Sequence, residues 1–287
     1  MLVTLKEILK IAEERNIAVG AFNTPNMESL LAIIGAAEEL NVPVIIQAAQ
    51  CHETLIPIAV IGPIMMEHAK KATVPVCVHL DHGETFEYLE KALEIGFTGV
   101  MYDGSVLSFE ENLENTKKAV ALAQKYGASV EAELGSMGKR ESGSGDTANE
   151  DDTKIYTDPV QAKRFVKESG IDALACSFGT THGIYLTKPR LDFTVVENVR
   201  VQTEGAPVVM HGGSGVSKED FHAAIKAGVR KINYFTYMDK SGGTAASEFI
   251  KGLKSDEPIF YSSIILAAQE AMKENVKEAM RTFALMD

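Results

Sequence analysis

The chain has 287 residues, 45% of them apolar, with 40 acidic against 28 basic side chains and a formal net charge of −12. That length suits a single α/β barrel, which needs about 250 residues, and the apolar fraction is enough to bury a large core. The acidic balance argues against nucleic acid or an anionic membrane as a partner, since both require basic surface. It leaves a phosphorylated small molecule open, because backbone N–H groups or a metal outweigh a distant global charge.

The opening stretch, MLVTLKEILKIAEERN, reads as an amphipathic helix with interior charges rather than a signal peptide. No apolar run approaches the roughly 20 residues that span a bilayer, so a cytoplasmic location is expected. Short, mostly continuous apolar runs then recur at 18–23, 42–49, 74–82, 99–104, 129–135, 173–179, 207–213 and 231–236. Continuous rather than alternating hydrophobicity fits strands of a parallel sheet covered by helices. Helical patterns lie between them, among others at 27–40, 86–95, 109–126, 159–169 and 218–227. Thr85 and Ser217 stand as N-caps, Asp220 at the capping-box position, and Gly96 and Gly228 as C-terminal stops. Eight strand–helix units in this order predict an α/β fold, a (β/α)8 TIM barrel formed as one domain over 1–287, with an additional C-terminal helix at 264–283. A doubly wound open sheet is the alternative, but no GxGxxG follows the first strand to support a dinucleotide site. Cys51, Cys77 and Cys176 form no paired framework and read as reduced thiols, the last two in buried strands.

One segment breaks the rhythm. Between Gly135 and Tyr156 runs SMGKRESGSGDTANEDDTKI, polar and glycine-containing, leaving the C-terminal end of strand five. Connections this long in a compact domain are commonly functional loops, and this one leaves the face where barrel enzymes keep their chemistry.

The polar residues gather at that same face. His82-Gly83, His182-Gly183 and His211-Gly212-Gly213 each stand where a predicted strand runs out. Three neutral imidazoles from three strand ends make an open zinc site with a vacant position for substrate. Asp81, beside His82, has a natural task there as general base. Asn23, Asp103, Glu131, Glu133, Asn233 and Thr236 also fall on or beyond strand ends. His79 reads as a buried neighbour or as a support for the ligands, whereas His52, His68 and His222 read as ordinary. The turns Gly179–Gly183 and His211–Gly215, the latter just before the helix capped by Ser217, offer converging N–H groups to a phosphate.

These residues resemble a known family, the class II, zinc-dependent ketose-bisphosphate aldolases. The likeness covers nearly the whole chain: AFNTPNMES, VHLDHGETFE, MYDGS, EAELG, YTDP, THGIY, HGGSG and KIN-x-x-T follow in the family's order. The resemblance implies His82, His182 and His211 as zinc ligands and Asp81 as the base at the C4 hydroxyl. It implies Glu141 as the acid/base at the triose carbon. Gly183, Gly212, Ser214, Asn233 and Thr236 would hold the dihydroxyacetone phosphate half, with Asn23 as a further substrate contact. Asp103 and Glu133 match residues near an alternative metal position. The implied cofactor is one catalytic Zn²⁺, with a monovalent cation such as Na⁺ as a candidate companion, and the implied assembly is a homo-oligomer, dimer or tetramer. The metal would stabilise the negative charge that retro-aldol cleavage leaves on an enediolate. No predicted strand carries an interior lysine at its C-terminal end, which argues against a Schiff-base route.

Three departures bear on substrate. Lys139 stands where the family has a second glycine, and Phe235 where fructose-bisphosphate members have an acid and tagatose-bisphosphate members a small residue. The region Asp256–Ser263 lacks the family's Asp-Pro-Arg arginine for the distal phosphate, and losing a bidentate guanidinium removes much of that recognition. The expected reaction is cleavage of a ketose 1,6-bisphosphate, fructose 1,6-bisphosphate by default, or of a ketose 1-phosphate, to dihydroxyacetone phosphate and an aldehyde. Tagatose 1,6-bisphosphate is the next candidate substrate. A metal-dependent hydrolase and a sugar-phosphate binding protein are the rival classes.

Overall fold

The computed structural model describes residues 1–135, 156–181, 183, 189–254 and 256–286. In chain order these form α1 (Leu5–Arg15), β1 (Val19–Asn23), α2 (Met27–Leu40), β2 (Val44–Ala49), α3 (Ile58–Lys71), β3 (Val76–Gly83), α4 (Phe86–Ile95), β4 (Gly99–Tyr102) and α5 (Phe109–Lys125). There follow β5 (Ser129–Leu134), α6 (Pro159–Ser169), β6 (Ala173–Cys176), α7 (Phe193–Gln202), β7 (Val208–Met210), α8 (Lys218–Ala227), β8 (Val229–Tyr234), α9 (Thr236–Gly252) and α10 (Tyr261–Phe283). The strands pair in parallel, each with the next, and Val19 in register with Lys231 closes β8 onto β1.

Local chemistry sets these boundaries. Thr4 and Ser108 open α1 and α5 with full capping boxes to Glu7 and Glu111. Asp158 caps α6, whose first residue is Pro159, where a missing N–H costs nothing. Thr85 and Ser217 cap α4 and α8 as expected, and Gly96 ends α4 at a φ of 107°. Several strand ends differ from the sequence pattern, β4 and β6 stopping early at Tyr102 and Cys176, and two of the differences bear on the site. β7 stops at Met210, so His211 lies just past it, and β8 begins at Val229, directly after the Gly228 stop, and ends at Tyr234. Thr236 therefore opens α9 instead of closing a strand. The added C-terminal helix begins three residues before the expected start, at Tyr261, and lies across α9 and α2.

Two apolar layers hold the barrel. The larger lies between the sheet and its helices. The smaller fills the N-terminal end of the barrel: Leu5, Ile8, Leu9 and Ala12 of α1 pack against Val19, Ile45, Cys77, Ala173 and Val209. Burying each larger aliphatic side chain there contributes about 1.5–3 kcal/mol before entropy. With its lower end stoppered by α1, the interior changes character upward. Gln47, His79, Glu131 and Lys231, all fully buried, make a polar middle level, and Asn23, Asp81, Glu133, His211 and Asn233 stand above it.

Candidate active site

Asp81 and His82 are neighbours in β3, and in a regular strand their side chains would point to opposite faces. Two departures from regularity bring both to the same pocket. The register between β3 and β4 shifts between Leu80 and Gly83, and His82 adopts a left-handed φ of 47°. A bulge re-aims a side chain in this way, and a non-glycine residue at positive φ persists only where its surroundings hold it. Gly83, within the strand, is required by crowding rather than by a turn: a Cβ there would lie 2.7 Å from the Met101 carbonyl oxygen and closer still to Leu89.

Asp81 is gripped from both sides. Asn23 donates from Nδ2 to Oδ2 at 3.0 Å and Asn233 donates from Nδ2 to Oδ1 at 3.0 Å. Each amide is oriented from behind, Asn23 by Gln47 Nε2 at 3.1 Å and Asn233 by Lys231 Nζ at 2.7 Å. Burial pushes the Asp81 carboxyl up, but His82, His211 and Lys231 together with the Asn23 hydrogen bond hold it well below the ordinary carboxylate range. It stays an anion that accepts, as a general base must.

The two histidines face each other. His211 Nδ1 lies 3.0 Å from His82 Nε2, with the rings edge to face. The opposite nitrogen of each ring meets a carboxylate: His82 Nδ1 lies 2.7 Å from Asp103 Oδ2 and His211 Nε2 lies 2.8 Å from Glu131 Oε1. Burial alone would depress the His82 imidazole, but Asp81 and Asp103 raise it to about 9. Burial depresses His211, with Glu131 opposing. Burial and the neighbouring Asp103 charge raise Glu133 to about 8. Asp81, His82 and His211 can bring ligand atoms within 4.8 Å of one another, and so can His82, Asp103 and Glu133.

The pocket above these groups is lined by Asn23, Asp81, His82, Asp103, Glu133, Gly183, Gly212, Ser214, Asn233 and Thr236. The structure thus gathers these expected residues at one mouth, with His211 against His82 on its floor. His182, Glu141 and Lys139 lie outside the described residues. The glycine turn is busier than its sequence suggests. The Gly213 N–H donates to the Asn233 carbonyl at 3.1 Å, and the Phe235 N–H donates to Ser214 Oγ at 3.3 Å. Gly212, at a φ of 66°, packs so closely on Thr181 that a Cβ would lie 2.6 Å from its carbonyl carbon. The N-terminus of α9, opened by Thr236 with no side-chain cap from Phe235, lies at the same rim.

Two residues here, His52 and Lys231, escaped the sequence reading. His52, expected to be ordinary, lines the pocket and packs its ring 5.0 Å from that of Phe235. Glu131 and Lys231 form a fully buried ion pair at 2.8 Å, so the barrel does hold an interior lysine. It sits below Asp81 with its ammonium engaged, away from the pocket wall, so Lys231 itself offers no exposed amine for a Schiff base. The signal was there: Lys231-x-Asn233 repeats the spacing of two seen in His79-x-Asp81 and Glu131-x-Glu133, which stacks polar groups on one strand face. His79 proves fully buried, 3.4 Å from Glu131 Oε2.

The sequence profile described as "Fructose-bisphosphate aldolase class-II" matches residues 3–287. The chain belongs to the class II fructose-bisphosphate aldolase family. A fructose-bisphosphate aldolase of Staphylococcus aureus is 39% identical over 287 residues, 98% of this chain and 97% of the relative. The YdjI aldolase of Escherichia coli K12 superposes with a TM-score of 0.86 at 35% identity, covering 99% of this chain and 97% of its own. The fructose-bisphosphate aldolase of Campylobacter jejuni, 23% identical, shares the fold with a TM-score of 0.81 over 98% of this chain and 95% of its own. Members of this aldolase family are aldehyde-lyases and are zinc-dependent. The donor set here fits such an ion: two imidazole nitrogens converge, and each ring is fixed from behind by a carboxylate, as metal-binding histidines usually are.

Proposed function

We propose that residues 1–287 act as one catalytic domain that reversibly cleaves a ketose 1-phosphate to dihydroxyacetone phosphate and an aldehyde. The observation that carries this reading is Asp81, held as a buried anion by Asn23 and Asn233 beside the paired His82 and His211. In cleavage, Asp81 removes the proton of the C4 hydroxyl as the C3–C4 bond breaks. The bonding pair stays on C3, and Glu141 returns a proton to that carbon. His82, His182 and His211 would hold one Zn²⁺, with Asp103 and Glu133 offering it an alternative position. When bound, the ion supplies Lewis acidity at the ketone oxygen. Gly183, Gly212, Ser214 and Thr236 hold the phosphate of the triose half, helped by the α9 N-terminus, and a monovalent cation such as Na⁺ would complete that subsite.

The outer pocket supports a substrate whose far end carries no phosphate. Among the described residues lining it there is no lysine or arginine, while Glu84 adds a carboxylate and His52 with Phe235 adds a ring wall. Fructose 1,6-bisphosphate, the family's reference substrate, is the test of this point. The decisive assay is release of dihydroxyacetone phosphate, with and without chelator, from fructose 1-phosphate, fructose 1,6-bisphosphate and tagatose 1,6-bisphosphate. Chelator-sensitive release with fructose 1-phosphate at least equal to the bisphosphates in kcat/KM supports the reading. A strong preference for either bisphosphate overturns the substrate assignment, and chelator-insensitive release overturns the metal. We further propose a cytoplasmic homo-oligomer acting on a free sugar phosphate, consistent with the acidic charge and with the absence, among the described residues, of a helix able to cross a membrane.

A further inference from the structure

Lys231 joins two otherwise separate polar arms, one through an ion pair and one through a hydrogen bond. One of its contacts leads through Glu131 to His211: the ammonium is 2.8 Å from Glu131 Oε2, and Glu131 Oε1 is 2.8 Å from His211 Nε2. The other leads through Asn233 to Asp81, at 2.7 Å and then 3.0 Å. All of this sits inside the barrel, with Lys231 and Glu131 fully buried.

An ammonium can only donate. It therefore compels Asn233 to turn its carbonyl oxygen downward and its NH₂ upward to the Asp81 carboxylate. A flipped amide would set its oxygen against that carboxylate and leave Asp81 short of a donor. The same ammonium offsets the Glu131 charge, which without a counter-ion would be costly in this dry interior. An ionised Glu131 accepts the Nε2 proton of His211 and so leaves Nδ1 with its lone pair facing His82. Gln47 orients Asn23 in the same fashion on the other flank of Asp81, but that arm does not reach a histidine.

We propose that Lys231 is a positioning residue that sets two things at once: the orientation of the base Asp81, through Asn233, and the metal-ready tautomer of His211, through Glu131. This rests on the reading of Asp81 as base and His211 as ligand. It goes beyond that reading by giving both a common support that touches neither substrate nor metal.

The test compares Lys231→Met, which keeps the stem and removes the charge, with the double variant Lys231→Met/Glu131→Gln, which also removes the stranded carboxylate. Melting temperature, zinc affinity of the stripped protein by chelator competition, and kcat and KM are measured for each. Lys231→Met is expected to bind zinc on the order of 10- to 100-fold more weakly and to lose about 100-fold in kcat, with KM within a few-fold of the parent. The double variant should recover folding and most zinc affinity, since a glutamine oxygen still accepts from His211. It should not recover kcat, since Asn233 remains undirected. Recovery of kcat with zinc affinity would show Lys231 to be a counter-ion only and overturn the proposal, as would parental kcat and zinc affinity in the single variant. Asp81→Ala and His211→Ala run in parallel: full turnover in the first or full zinc affinity in the second defeats the underlying reading instead, so the two failures are told apart.

Discussion

His82 and His211 meet nitrogen to nitrogen at 3.0 Å, and each is pressed into place by a carboxylate on its far side. Two acceptor nitrogens at that separation repel unless a proton or a cation lies between them. A protonated His82 can supply that proton in the metal-free protein, and on the proposed reading a zinc ion takes its place. Stripping the metal should abolish turnover and lower the melting temperature, because an ion that binds only the folded state stabilises it by about 4 kcal/mol at a thousandfold excess over Kd. Asp103→Ala, which frees the His82 ring, should weaken zinc by about 10- to 100-fold. Chelator competition on the purified variants measures this directly, and unchanged affinity would mean that Asp103 does not hold His82.

The grip of Asn23 and Asn233 on Asp81 makes a sharper prediction about the base. Asp81→Ala should retain zinc by elemental analysis while kcat falls by roughly 10²- to 10⁴-fold, the range for loss of a positioned proton acceptor. A variant that still cleaves at the parental rate removes Asp81 from the chemistry.

Gly83 has no room for a methyl group, with Met101, Leu89 and Leu80 crowding the position. Gly83→Ala should destabilise the protein by about 1–3 kcal/mol through overpacking, and should depress kcat too because the displaced backbone carries His82. Denaturant unfolding together with kinetics separates the two effects. A variant as stable as the parent would show that the β3 bulge yields easily.

The thiols offer an independent probe of the pocket. Burial pushes Cys77 up to about 12 and Cys176 higher still, whereas Cys51 is exposed and lines the pocket. Iodoacetamide should modify Cys51 alone in the native protein, and dihydroxyacetone phosphate together with zinc should slow that reaction. Mass spectrometry of tryptic peptides reads both outcomes, and early labelling of Cys77 or Cys176 would contradict the closed interior.

Much of this site was legible because barrel geometry turns strand order into spatial order. Once eight apolar runs were recognised, Asn23, Asp81, His82, Asp103, Glu133 and Asn233 had to gather at one mouth, and the structure gathers them there. What pattern could not supply was depth. Lys231, read as the first residue of the eighth strand, lies two residues below Asn233 on the same face, and nothing local says that its ammonium turns into the barrel to meet Glu131. His52 was illegible for another reason: its partner, Phe235, lies far away in the sequence, and a ring contact between loops of β2 and β8 leaves no spacing to read. The crowding at Gly83 and Gly213, where a Cβ would meet Met101 and Asn233 backbone, likewise leaves no local pattern to read.

The stopper at the foot of the barrel has a kinetic side. Leu5, Ile8 and Leu9 leave the ribosome before any strand of this barrel, yet their seat includes Val209 and is closed only when β8 joins β1. A helix made ahead of the barrel strands is thus among the last elements of the barrel to be fully housed. Until then its oily face waits in water, and contacts so remote in sequence form slowly. A nascent chain lacking its final strands would expose that face to chaperones and to other copies of itself, so synthesis interrupted late should be more prone to aggregate than synthesis interrupted early.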